Sequence, residues 1–195
     1  MLQPDKGFAY FPEIQSIMWN FHENFTPNHV FKSQWNEWIF VKTPFVYYSN
    51  SLLTESGGFL HSLITSMGNP LLWWIFIPAF LGTIVLLFVQ RKSKTSQNAL
   101  FLIITISLMF LPWLFLGRIK FIYYFLMHVP LMILTLCLCI NKLLEKGYIS
   151  KRSILLYCIL LVITFAFFYP VLSGIYISPE FVENFLMTYK DWPLL

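Results

Sequence analysis

Charge is scarce in this chain. Asp, Glu, Lys and Arg make up 11% of its 195 residues and the mean hydropathy is +0.66, a profile that excludes an ordinary soluble domain, where about a quarter of residues are charged. Acids are scarcer than bases, 9 against 13, which leaves a net charge of +4. The surplus points to no nucleic-acid partner, because the basic residues do not cover one face but gather in short connectors. Cysteine is scarcer still. Cys137, Cys139 and Cys158 all fall within apolar runs, where a thiol behaves as a small packing or lipid-facing group, so a disulfide framework is not expected. His128 precedes Cys137 in one such run, but about two and a half helical turns separate them and put them on opposed faces, so no metal or other cofactor is expected. Residues 1–12 lack the basic start and apolar stretch of a signal peptide. No internal repeat and no charge within an apolar run is present, which leaves a transporter's coupling chemistry little to work with.

What is present is apolar length. Four uncharged runs, at 70–89, 98–116, 121–140 and 153–175, each suffice as a helix to cross a hydrocarbon core of about 30 Å. Barrel strands are shorter and alternate in polarity, so the runs predict an all-α membrane domain of four transmembrane helices. Arg91, Lys92, Lys94, Lys142, Lys146, Lys151 and Arg152 lie in two connectors whose only acid is Glu145. An excess of Lys and Arg marks the cytoplasmic side. Segment 1–69, the connector from Gly117 to Lys120 and the tail 176–195 are then expected outside, in a multi-pass plasma-membrane protein with both termini extracytoplasmic. An exported segment of that size without a signal suggests the back end of a longer membrane protein, the alternative being a four-span protein with an exported N-terminal tail.

The outer segment opens with an amphipathic helix at about 13–25. Ile14, Ile17, Met18, Phe21 and Phe25 recur on one side, with Glu13, Gln15, Ser16, Asn20, Glu23 and Asn24 on the other. Its apolar face, with Trp19 beside it, suits either the membrane interface or the bundle. Thr26-Pro27 ends the pattern, because a residue before proline avoids the helical region. Asn24-Phe25-Thr26 fits a glycosylation acceptor, a triplet common by chance. An aromatic loop at 29–48 follows, carrying His29, Ser33, Trp35, Trp38, Pro44, Tyr47 and Tyr48. Taken alone it reads either as an aromatic belt at headgroup depth or as a groove. Glu55, Ser56, Gly57 and Gly58 mark a turn, and Gly68-Asn69-Pro70 precedes the first span with Trp73 and Trp74.

Taken in order, the amphipathic helix, His29, Ser33, Trp35, Trp38, Pro44, Tyr47-Tyr48, Gly68-Asn69-Pro70 and Trp73-Trp74 resemble the C-terminal four-span region of bacterial protein O-mannosyltransferases. Leu111-Pro112-Trp113, Gly117-Arg118, Tyr123-Tyr124, Pro130, Phe168-Tyr169-Pro170 and Gly174 continue the resemblance over nearly the whole chain. Val30, Ile39 and Thr43 depart from the family's usual proline, proline and arginine, which bears on local ligand contacts but not on the fold.

The resemblance implies a glycosyltransferase that moves mannose from polyprenyl-phosphate-mannose to Ser or Thr of an exported acceptor protein. The family's catalytic acid pair lies in a loop not matched here, so no catalytic residue is assigned, and a separate catalytic membrane chain is a possible partner. Asp5, Glu13 and Glu23 carry no matching motif. Arg118 is the expected ligand of the donor's phosphate, since a guanidinium grips phosphate with two parallel hydrogen bonds; the plain alternative is a residue reaching to lipid headgroups. His29, Trp35 and Trp38 are the expected lining of an acceptor or sugar groove. His128, before Pro130, is expected to bond a backbone carbonyl that the proline frees. A non-enzymatic four-span interaction or assembly subunit is the rival reading.

Overall fold

The computed structural model describes residues 8, 10–24, 28–54 and 58–181. The Phe25-Thr26-Pro27 helix stop, the turn residues at 55–57 and the tail from 182 lie outside the described residues. Helix α1 spans Phe11–Asn24, and the short α2 spans Trp35–Trp38. A hairpin of β1 (Phe45–Leu53) and β2 (Phe59–Ser66) precedes α3 (Pro70–Val89) and α4 (Lys94–Phe115). A 3-10 segment, Ile122–His128, then leads into α5 (Val129–Glu145), followed by α6 (Lys151–Ser173), β3 (Tyr176–Ile177) and α7 (Pro179–Phe181). Among the described residues, four helical stretches are long and apolar enough to cross a membrane: α3, α4, the 3-10 segment with α5, and α6.

The helices start where their caps dictate. Ser93 and Ser150 side chains accept the Ser96 and Ser153 amides, and Asn69 accepts that of Leu71 ahead of Pro70, a residue suited to the first helical turn. Gly174 ends α6 at φ 75, in the left-handed region where a Cβ is disfavoured.

The hairpin was not anticipated. The antiparallel order is β1-β2-β3, with a register shift between Val46 and Tyr48. This sheet supplies the last turn of α6 with partners: Thr65 Oγ1 donates to the Val171 carbonyl at 2.9 Å, Ser62 Oγ to that of Gly174 at 2.6 Å, and Gly174 N–H to that of Leu63 at 3.0 Å. Helix ends leave such carbonyls orphaned, so the sheet serves as a cap. Further along, Asn69 Nδ2 donates to the Leu161 carbonyl at 3.0 Å. The chain from Leu63 to Asn69 therefore runs beside α6 for roughly 20 Å, and α3 begins alongside the middle of α6.

Helix α3 packs closely on α5. Gly82 lies where a Cβ would come 3.3 Å from Cys139 Sγ, which donates to the Ala79 carbonyl at 3.0 Å. Small residues let helices approach like this in lipid. Cys139 is thus a packing group, while Cys137 and Cys158 are exposed on the apolar surface. The core joins Trp38, Leu63, Trp73, Ile122, Phe125, Met132 and Val171.

Trp73 is fully buried, and the space for its indole exists only because residue 68 has no side chain: a Cβ there would fall 1.8 Å from Trp73 Cε2. Gly68→Ala is therefore expected to destabilise the fold by about 1–3 kcal/mol, the usual range for overpacking, read as a lower midpoint of thermal unfolding in detergent. A midpoint equal to that of wild type would contradict the close approach.

Candidate functional site

Arg118 is placed by the break between α4 and the 3-10 segment. Pro112 stands in the last turns of α4, the backbone is extended at Leu116, and Gly117-Arg118 then crosses toward α1. Here α1 folds over the connector. Arg118 Nη1 approaches His22 Nδ1 at 3.2 Å, and Nη2 donates to Tyr124 Oη at 3.0 Å. A guanidinium only donates, so His22 must offer a lone pair on Nδ1, which places its own proton on Nε2 and keeps the ring neutral in this pairing. The Tyr124 ring lies beneath the cation, 5.8 Å from Cζ to centroid. Tyr124 in turn stacks on Trp113 at 4.4 Å and 17°, and Tyr123 Oη reaches Tyr124 Oη at 3.5 Å. The guanidinium is thereby held on a rigid aromatic support.

One donor nitrogen has no partner. Arg118 Nε is buried and has no hydrogen-bond partner among the described residues. An unpaired buried donor on a charged group costs more than a neutral one, so the arrangement is incomplete without an acceptor. Beside it is a cleft of about 290 Å³ lined by Gln15, Trp19, His22, Glu23, Leu116 and Arg118, among others. Glu23 Oε2 accepts the Trp19 indole N–H at 3.0 Å.

The aromatic loop lies next to this. His29 stacks on Phe45 at 5.7 Å and meets Phe121 edge-on at 5.1 Å, while its Nδ1 accepts the Phe31 amide at 3.2 Å. Phe45 and Phe121 both contact Tyr123, which continues the stack to Arg118 through Tyr124. Trp38 does not share that surface. It is 0% exposed, and its Nε1 donates to Ser33 Oγ at 2.9 Å. A fully enclosed indole lines no groove, which removes Trp38 from the expected groove set. Trp35, 38% exposed, keeps an open edge but packs on Phe110 at 5.8 Å, away from His29's neighbours. The three residues His29, Trp35 and Trp38 are thus not brought together as one face.

Lys120 is buried, its carbonyl accepts the Ser33 amide at 2.9 Å, and burial holds its ammonium below the usual lysine range. His128 is buried between Phe110 and Phe125 with its ring beside the backbone of Phe125 and Tyr124, although neither ring nitrogen meets strict hydrogen-bond geometry with a described group. No group of three or more His, Cys, Asp or Glu suited to a metal ion occurs among the described residues.

Sequence reasoning missed His22 and Glu23 as neighbours of Arg118. They sit on and beside one flank of an amphipathic helix that had two possible docking faces, and nothing local indicated that this flank would close over a connector 96 residues from His22.

Comparison with known proteins identifies the family. Residues 8–192 match the family described as the C-terminal four-span region of protein O-mannosyltransferase. A polyprenol-phosphate-mannose–protein mannosyltransferase of Corynebacterium glutamicum is 25% identical over 185 residues, covering 88% of this chain and 35% of that protein. The chain thus spans about a third of that relative's length. The fold is similar to that in the S. cerevisiae protein O-mannosyltransferase Pmt1-Pmt2 complex bound to the sugar donor, with a TM-score of 0.72 and 19% identity over 98% of this chain and 27% of that one.

Proposed function

Because the chain belongs to the family of C-terminal four-span regions of protein O-mannosyltransferases, we propose that it is the donor-holding membrane portion of such an enzyme. In this reading, mannose passes from polyprenyl-phosphate-mannose to Ser or Thr of exported proteins, and the general base that deprotonates the acceptor hydroxyl is contributed from outside these 195 residues. The observation that carries it is the Arg118 guanidinium bordering the cleft, already oriented by His22 and Tyr124 and with its Nε unpartnered among the described residues. The donor's phosphate oxygens supply the missing acceptors, and a pre-oriented fork loses little entropy in taking them. His29 and the exposed edge of Trp35 remain the proposed contacts for acceptor peptide or sugar, approached from either side of the loop.

The assay gives the purified chain polyprenyl-phosphate-mannose and a Ser/Thr-rich peptide in nanodiscs. Binding of the donor without turnover is the expected result. Sustained turnover abolished by a substitution within the chain would contradict the assignment of the base, and absence of donor binding would favour the non-enzymatic subunit.

The same reading sets the orientation, with the sheet and the Arg118 cleft extracytoplasmic and the basic connectors cytoplasmic, in the plasma membrane. With Cys137, Cys139 and Cys158 replaced by serine, Ser49→Cys is expected to react with an impermeant maleimide on intact cells, and Arg91→Cys only after the cells are opened. Both positions are exposed, so access is decided by side alone. Labelling of Arg91→Cys and not Ser49→Cys on intact cells would invert the topology.

A further inference from the structure

At the end of the bundle opposite the sheet, the late start of α3 beside α6 leaves a groove between α3, α5 and the first turns of α6. It has a volume of about 540 Å³, within the range of ligand sites, and its walls are apolar: Ile75, Val85, Leu136, Ile140 and Ile154 face it, with Gly82 adding width. Its mouth is different in kind. Lys142, Lys146, Tyr148 and Ser153 ring it, and Lys151 and Arg152 begin α6 just beyond. Lys142 pairs with Glu145 at 2.6 Å, while Lys146, Lys151 and Arg152 have no ion-pair partner among the described residues. An apolar slot continuous with a rim of net positive charge matches one kind of molecule, an amphiphile with an anionic head.

We propose that this groove is a binding site for an anionic phospholipid, one acyl chain lying between α3, α5 and α6 and the phosphate resting on Lys142 and Lys146. Membrane depth supports the match: the rim lies at the end of the spans, where phospholipid headgroups sit, and the groove runs inward along the helices as an acyl chain does. Tyr148, 72% exposed beside the lysines, adds a hydroxyl for the head. Helix α6 has few contacts with the rest of the bundle apart from the sheet, so a lipid here seats its first turns against α3 and α5. The site is distinct from the Arg118 cleft, which lies toward the other end of the spans, and it does not rest on mannosyl transfer.

The test is native mass spectrometry of the delipidated full chain, incubated with equimolar phosphatidylglycerol and phosphatidylcholine of identical acyl chains. One phosphatidylglycerol should be retained, preferred by about tenfold or more, since each basic residue near a lipid surface contributes roughly fivefold. Lys142→Gln with Lys146→Gln should bring the preference close to parity, and Val85→Trp, a change at an exposed wall position that does not disturb the core, should reduce retention of both lipids. Equal retention by the wild type, a preference unchanged in the double variant, or displacement of phosphatidylglycerol by equimolar polyprenyl phosphate would each overturn the assignment.

Discussion

Trp38→Ala should lower the stability of the fold by about 3–5 kcal/mol, the usual cost of removing a buried aromatic ring. The indole is 0% exposed and sits among Phe110, Trp113, Tyr124 and Phe125, with ring centroids between 5.9 and 6.4 Å away. For a chain of this size that loss corresponds to a fall of roughly 6 to 20 °C in the midpoint of thermal unfolding. Trp38→Phe retains a ring but leaves Ser33 Oγ without its donor, so a smaller loss of about 1–2 kcal/mol is expected. Trp35→Ala, on the exposed side of the same turn, should change the midpoint little. Trp113 and Tyr124 also support Arg118, so the Trp38→Ala variant should lose donor binding along with stability. Equal midpoints for Trp38→Ala and Trp35→Ala would show that the burial of Trp38 does not anchor the loop.

Arg118→Ala should weaken the binding of polyprenyl-phosphate-mannose by about 10- to 150-fold, the equivalent of the ~1.5–3 kcal/mol that a hydrogen bond to a charged group contributes. Unfolding should change far less, because the residue is half-buried at a surface cleft and its stacking partners Trp113 and Tyr124 remain in contact with each other. Arg118→Lys keeps the charge and loses the planar fork, so its affinity should fall between the two. His22→Ala removes one of the two groups that orient the guanidinium without removing the phosphate ligand, and a loss of only a few-fold is expected. An affinity equal in wild type and Arg118→Ala, measured by titration in nanodiscs, would leave Arg118 as a residue that reaches only to bulk lipid headgroups.

The membrane helices were legible because the bilayer demands long uninterrupted apolar runs, and nothing else in the chain has them. The third run, at 121–140, opens as a 3-10 segment, and helix continues past it to Glu145. Helix α5 continues beyond the apolar run, where Lys142 and Glu145 pair across one helical turn. The sheet was missed for a different reason. Phe45-Val46-Tyr47-Tyr48 and the run from Phe59 are strand-forming residues flanking turn-forming residues, which is a hairpin signal, but the same aromatics suit an aromatic belt or a groove equally well. Arg118 was visible from its position in the connector. Its neighbours were not, since the approach of α1 is a tertiary choice between two faces of an amphipathic helix. Trp35 and Trp38 illustrate the same limit at shorter range: three residues apart, one is open and the other enclosed, and only the packing of α2 against the 3-10 segment decides which.

The central claim, that this chain holds the phosphate of a polyprenyl donor in the cleft between α1 and Arg118, is tested most directly by photocrosslinking. A polyprenyl-phosphate probe with its photoreactive group beside the phosphate is irradiated with the purified chain, and the modified peptides are mapped. The account predicts adducts within 15–23 of α1 and around Arg118, strongly reduced in Arg118→Ala. Adducts of equal yield in the two proteins, or adducts confined to the opposite end of the spans, would contradict it.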